Sequence, residues 1–280
     1  MGDASSPTIE IPVIDISGYL DPSRRSATQT QEIVRSLRSA CQSPGFFQIT
    51  GHNIPVALRQ SLLEEIGQFF NLPPERKQAL HRGKSHCLRG WESVGEQSLE
   101  AGFADQKEGF MVGLEMPGAT RFLQGPNQWP EPEDGVSKFR GTFMQYFEQV
   151  RLLSRDVFRL MALSLELEET YFDSFDDSGG LEVFHKPSGT WHAVRPIQDA
   201  FVVNIGDMME RWTNEKYTST LHRVITPVSN RYRYSVAFFN EGLLDQVIEC
   251  IPSCLNFGEK AKFEPIRAED HLKQRYGSSY

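Results

Sequence analysis

A change of period near the middle of this chain limits its fold more than any other feature. Up to Leu167 the apolar residues recur with helical spacing, whereas beyond Asp177 they fall into short strand-like runs. The longest helix is predicted over Phe139–Leu167, where Phe143, Phe147, Val150, Leu153, Val157 and Leu160 keep one face. The runs LEVFH, WHAVRP, AFVVNIGD, STLHRVIT and RYRYSVAFF follow, spaced by turn residues such as Pro187, Gly189 and Gly206. Helices first and strands second imply an α+β architecture with an antiparallel sheet in the C-terminal half.

The N-terminal part alternates strand and helix signals. After a frayed arm of ten residues, Ile11–Ser17 (IPVIDIS) reads as a strand and Thr28–Cys41 as a helix. Gly45–His52 (GFFQITGH) is a second strand ended by Gly51, and Pro55–Phe70 is a helix with Leu58, Leu62, Leu63, Ile66 and Phe70 along its apolar stripe. Pro74 suits the first turn of another short helix. Residues 83–135 are rich in Gly and Pro and read mostly as loop. Three regions result: 1–135, the long helix within 136–172, and 173–280, which carries the strands and a C-terminal helix.

With 280 residues, 39% of them hydrophobic, the chain can bury a substantial core. A formal charge of −8 without a basic run argues against nucleic acid as a partner. No apolar stretch reaches the length of a membrane span, and although Gly2 and Ser6 fit a loose myristoylation pattern, no basic cluster accompanies them. The expectation is a cytoplasmic protein, with Cys41, Cys87, Cys250 and Cys254 reduced and mostly buried.

Chemistry is concentrated in Ser219–Phe239, STLHRVITPVSNRYRYSVAFF. As a hairpin turning at Pro227–Asn230, it sets His222 opposite Ser235, with Arg233 two residues along on the same face. Imidazole, guanidinium and hydroxyl suit a metal with an acidic ligand, since arginine grips carboxylates bidentately and imidazole ligates iron. The plainer reading is a hydrogen-bonded strand histidine beside two solvent-facing side chains.

The segments IPVIDIS, GFFQITGH, NLPPERK, LRGWESVGEQ, DQKEGFMVG, GPNQWP, NIGDMMERWTN, STLHRV and RYSVAFF occur in an order that resembles the isopenicillin-N-synthase-like group of Fe(II)/2-oxoglutarate-dependent dioxygenases. The resemblance implies a double-stranded β-helix (jelly-roll) core wrapped by N-terminal helices. It implies Fe(II) and 2-oxoglutarate as cofactors, His222 as the distal metal ligand, and Arg233 and Ser235 as the pair that holds the far carboxylate of 2-oxoglutarate. A small molecule of specialised metabolism would be the substrate, through hydroxylation, desaturation or ring formation. Arg89, Trp91 and Phe110 are candidates to touch it, while Trp212 and Phe239 read as core.

The family writes its first two iron ligands His-x-Asp/Glu, and none of the seven histidines here is followed that way. The stretch ETYFDSFDDSGGLEVFHKP passes from the long helix almost directly into a strand, skipping the jelly-roll strands expected around 173–181. Asp173, Asp176 and Asp177 lie at that junction; His185 and His192 follow where the family pattern shows no ligand. Asp207 is expected to fix a turn or cap a helix. The metal triad is therefore expected to be incomplete and Fe(II) binding poor. This leaves two further readings: a non-catalytic binding protein, or an incomplete gene model of an active oxygenase.

Overall fold

The computed structural model describes residues 8–9, 11–96, 106–173, 182–185, 190–195, 197–223 and 232–279. They form two units, Met1–Ile54 with Glu148–Ala268, and Pro55–Phe147 with Glu269–Tyr280.

In the first unit, β1 (Thr8–Ile9) and β2 (Val13–Asp15) lead to a short helix α1 (Ser17–Leu20) and to α2 (Ala27–Gln42). Thr8 and Ile9 thus belong to a strand, correcting the frayed arm expected there. Ser26 caps α2 by accepting the N–H of Gln29 at 3.2 Å, and the helix buries Ile33, Leu37, Ala40 and Cys41 along one stripe. Strand β3 (Phe46–Thr50) follows, running parallel to β2.

The second unit begins with α3 (Val56–Phe70), whose buried face is Leu62, Glu65, Ile66 and Phe69. Leu63 is 42% exposed, so the apolar stripe is rotated from the expected one. Helix α4 (Pro74–Ala79) starts on its proline as anticipated. The segment expected to be mostly loop contains an antiparallel ribbon of β4 (Gly90–Glu92) and β5 (Gly109–Met111). Phe69 stacks on Phe139 at 4.9 Å, with Phe110 edge-on to both.

Helix α5 (Phe139–Ser164) ends three residues earlier than predicted. Glu166 turns left-handed (φ 62°), the N–H of Leu167 bonds Ala162 O at 3.0 Å, and that of Glu166 bonds Leu163 O at 3.1 Å. These two bonds make a Schellman cap with glutamate where glycine is usual.

Beyond it come β6 (Glu182–His185), β7 (Thr190–Val194), β8 (Phe201–Asn204), α6 (Asp207–Trp212), β9 (His222–Arg223), β10 (Val247–Ile248), β11 (Ile266–Arg267) and α7 (Ala268–Ser279). Four strands form a sheet in the order β1-β7-β6-β9 and three form another in the order β2-β3-β8. Strand β3 is the buried centre of the latter; Gln48 on it donates from Nε2 to Arg195 O and accepts the N–H of Ile197. The architecture is α+β, as the change of period implies.

One expected pairing is not formed among the described residues, and the turn expected at Pro227–Asn230 lies outside them. Residues 232–239 carry no strand, and His222 is paired with Val183 of β6 instead of Ser235. Phe239 is 67% exposed, not core, whereas Trp212 is buried as expected. All four cysteines are free, and Cys41, Cys87 and Cys254 are buried. No helix among the described residues is long and apolar enough to cross a membrane; the Gly2–Ser6 pattern lies outside them.

Candidate functional site

One backbone hydrogen bond, two side-chain hydrogen bonds and one steric constraint hold the segment leading to His222. The Thr218 N–H bonds Cys41 O at 3.0 Å, Thr218 Oγ1 donates to Gln42 O at 3.1 Å, and Thr220 Oγ1 donates to Pro44 O at 2.8 Å. Gly45, at φ 78°, lies so near Thr218 that a Cβ would fall 2.0 Å from the carbonyl oxygen. The turn between α2 and β3 thereby fixes the start of β9.

The ring of His222 stands edge-on to Phe46, with centroids 5.8 Å apart, and its Nδ1 is 3.0 Å from the carbonyl oxygen of Thr220. A carbonyl oxygen only accepts, so Nδ1 carries the proton and the lone pair is on Nε2. An imidazole held by a backbone carbonyl in this tautomer is arranged as metal-binding histidines are. The residue is exposed, and no partner engages Nε2 among the described residues.

Arg233 and Ser235 are exposed and outside the ladder that holds His222. Neither makes a hydrogen bond or ion pair among the described residues, so the guanidinium is uncommitted. Asp173 is committed: Arg159 bonds it from Nε at 2.8 Å and Nη2 at 2.6 Å and holds its carboxyl below the usual range. Asp176 and Asp177 lie outside the described residues. Asp207 sits in the first turn of α6, where a negative charge is favoured.

Other histidines are also engaged. The Nε2 of His52 donates to Asp199 O at 2.8 Å while Nδ1 accepts the N–H of Ile54. His81 meets Glu96 and His86 meets the carbonyls of Ala119 and Gln124. Among the described residues no group of three or more His, Cys, Asp or Glu could hold a metal ion. The described side chains therefore do not fit a two-histidine, one-carboxylate iron centre.

The residues suggested for substrate contact are built into the second unit. Arg89 is buried and donates from Nη2 to Leu123 O at 2.7 Å. Trp91 donates from Nε1 to Glu108 Oε2 at 2.8 Å, which also pairs with Lys77 at 2.8 Å, and Phe110 belongs to the aromatic cluster. What the sequence reading missed is the setting of His185 and His192: His192 lies opposite Val183 and His185 opposite Thr190. The turn-like KPSG between LEVFH and WHAV was the available signal.

Comparison with known proteins decides the family. Residues 11–132 match the model for the non-haem dioxygenase in morphine synthesis N-terminal region, and residues 170–242 match the model for the 2OG-Fe(II) oxygenase superfamily. The chain belongs to the 2OG-Fe(II) oxygenase superfamily. It is 34% identical to the 2-oxoglutarate-Fe(II) type oxidoreductase hxnY of Emericella nidulans, over 96% of this chain and 90% of that protein. Clavatol oxidase claD of Penicillium crustosum is 32% identical over 99% and 98%. Among solved structures, that of a full-length Neurospora crassa protein in complex with alpha-KG and thymine superposes with a TM-score of 0.82 at 25% identity, covering 96% of each chain.

Membership makes this an oxidoreductase family protein of jelly-roll lineage, and Fe(II) and 2-oxoglutarate are the cofactors of its family. The alignment with hxnY runs over 319 positions and that with claD over 336, both longer than the 280 residues available here. The relatives therefore carry internal residues that this chain lacks.

Proposed function

We propose that this chain is a 2-oxoglutarate-binding oxygenase of small molecules in specialised metabolism, with Arg233 and Ser235 as the anchor of the keto acid and His222 as the one donor retained from the family triad. The similarity to hxnY over 96% of the chain carries this reading. In it the Arg233 guanidinium takes the far carboxylate of 2-oxoglutarate by two parallel N–H bonds, and the Ser235 hydroxyl donates a third. The uncommitted state of both side chains supports the assignment. Small-molecule chemistry is supported by the thymine complex of the Neurospora crassa protein and by a JOX2 structure with 2OG, Fe and JA. Hydroxylation, desaturation and ring formation fall within this class. The family triad is not completed by the described side chains, and no step is routed through it.

The skipped segment belongs, in this reading, between Phe172 and Leu181, where the relatives' surplus residues would carry His-x-Asp. Sequencing the transcript across that junction distinguishes a shortened protein from a longer one. The protein as written is tested by calorimetric titration with 2-oxoglutarate. Saturable binding that falls at least tenfold in Arg233→Ala is expected, about the 1.5–3 kcal/mol of a charge-assisted hydrogen bond. Equal binding by the variant, or none by the unaltered protein, overturns the proposal. That the described side chains do not complete the triad also favours a second reading, a binding protein without turnover. Keto-acid binding with no succinate released in the presence of Fe(II) and oxygen would select it.

A further inference from the structure

We infer that the cavity bounded by the turn after α5, the end of α6 and strand β10 is a binding site for a flat aromatic cation. Three segments of the first unit build it. Tyr171 and Phe172 come from the turn after α5, Trp212 is the last residue of α6, and Gln246, Glu249 and Cys250 flank β10. The Tyr171 N–H bonds Glu168 O at 3.0 Å and the Ile251 N–H bonds Trp212 O at 2.8 Å, so the turn is closed and α6 is tied to the strand side of the cavity. The volume, about 400 Å³, falls within the range of about 300–1,000 Å³ usual for small-molecule sites.

The chemistry of the lining selects the ligand. Phe172 and Trp212 are buried with ring centroids 5.3 Å apart, and the Tyr171 ring stands edge-on to Phe172 at 5.0 Å. Aromatic faces attract a cation, and tryptophan does so most strongly. The polar side chains beside them, Glu249 and Gln246, offer acceptors without donors. Glu249 makes no hydrogen bond or ion pair among the described residues, and Gln246 gives its Nε2 to Val247 O at 3.2 Å, leaving Oε1 open. Burial raises the Tyr171 phenol and the Cys250 thiol, and the Glu249 charge raises both further, so the carboxylate acts on the space that the rings line. Lys216, whose charge also reaches Cys250, does not line the cavity and donates to Ser253 O at 3.1 Å. Glu259 is engaged by Asn214 and Asn256. A flat apolar body with a positive charge answers both features, stacking on the rings while its charge meets Glu249. An anion would face acceptors that it cannot satisfy. None of His222, Arg233 and Ser235 lines the cavity, so the inference stands apart from the functional reading above.

The test titrates the full-length protein with N-methylquinolinium, a flat two-ring molecule of fixed positive charge, by calorimetry at neutral pH. One equivalent is expected to bind, at least tenfold more tightly than quinoline, which has nearly the same outline and is neutral there. Glu249→Gln is expected to weaken the cation at least fivefold and to leave quinoline unchanged, whereas Tyr171→Ala weakens both. Glu249 is exposed and Tyr171 is 47% exposed, so both substitutions spare the core. Glu32→Gln, which removes an exposed carboxylate on α2, should leave the titration unchanged. In the unaltered protein, saturating N-methylquinolinium should also slow the labelling of Cys250 by a chromogenic disulfide reagent. No saturable binding, equal affinity for quinoline, or full affinity in Glu249→Gln or Tyr171→Ala each overturns the site. So does an equal loss in Glu32→Gln, or Cys250 labelling that ignores the cation.

Discussion

His192 and His222 flank the same residue, Val183, from opposite sides of strand β6. They are separated by 30 positions in the chain, yet the sheet brings them into one row. His222 thus pairs with β6 in place of the Arg233–Ser235 hairpin arm expected from the sequence.

Replacing Val183 by aspartate puts a poor strand former at the residue of β6 that pairs with both β7 and β9. Val183→Asp is expected to lower stability by up to about 1 kcal/mol. Urea melts of the two proteins measure the difference, and an unchanged midpoint would mean that β6 is not held between two strands.

The fold was readable where a single element decided its own burial. The helix over Ala27–Gln42 and the strand over Phe46–Thr50 follow from local spacing, and the α+β order follows from the change of period. The site was less readable, because its geometry depends on which strand pairs with which. STLHRV and RYSVAFF look like two arms of a hairpin, but the partner of His222 is Val183, 39 residues upstream. Likewise Trp91 and Arg89 resemble exposed recognition residues in a loop-rich stretch. Their commitment to Glu108 and Leu123 O arises from contacts 17 and 34 residues away.

The C-terminal cap of α5 is open to improvement. Glu166 holds φ 62°, a conformation that side chains with a Cβ resist. Its ion pair with Arg38 at 3.0 Å is exposed and contributes little. Glu166→Gly is expected to stabilise the protein by about 0.5–1 kcal/mol, whereas Glu166→Ala keeps the strain, loses the pair and gains nothing. Urea denaturation of both variants checks this, and a glycine variant no more stable than the alanine one counts against the cap.

Thiol chemistry should single out Cys250. It is half-buried in a cavity of about 400 Å³ lined with Tyr171, Phe172 and Trp212, whereas Cys41, Cys87 and Cys254 are buried. Burial pushes the Cys250 thiol up, helped by Glu259 and Glu249, so even this residue should react slowly at neutral pH. A chromogenic disulfide reagent is expected to label one thiol in the native protein and four in denaturant, with Cys250→Ser abolishing the native reaction. Comparable native labelling of Cys41 would contradict the burial assigned to it.

Acid stability should depend on Glu269, in the first turn of α7. Arg121 bonds its Oε2 from Nη2 at 2.7 Å, Lys273 meets Oε1 at 3.0 Å, and together they hold the carboxyl down to about 2. Because the folded value lies below the usual glutamate value of 4.5, the unfolded chain takes up the proton first as pH falls. The contribution is therefore complete above about pH 4.5 and disappears as the pH falls towards 2. Glu148, Glu169 and Asp173 are also depressed, but they are common to a protein and its Glu269→Gln variant and cancel in the difference. The variant should be less stable than the unaltered protein at pH 7, and the gap should close across that window. Paired urea midpoints from pH 6 down to pH 2 measure it, and a gap independent of pH would show that Glu269 acts through packing, not through charge.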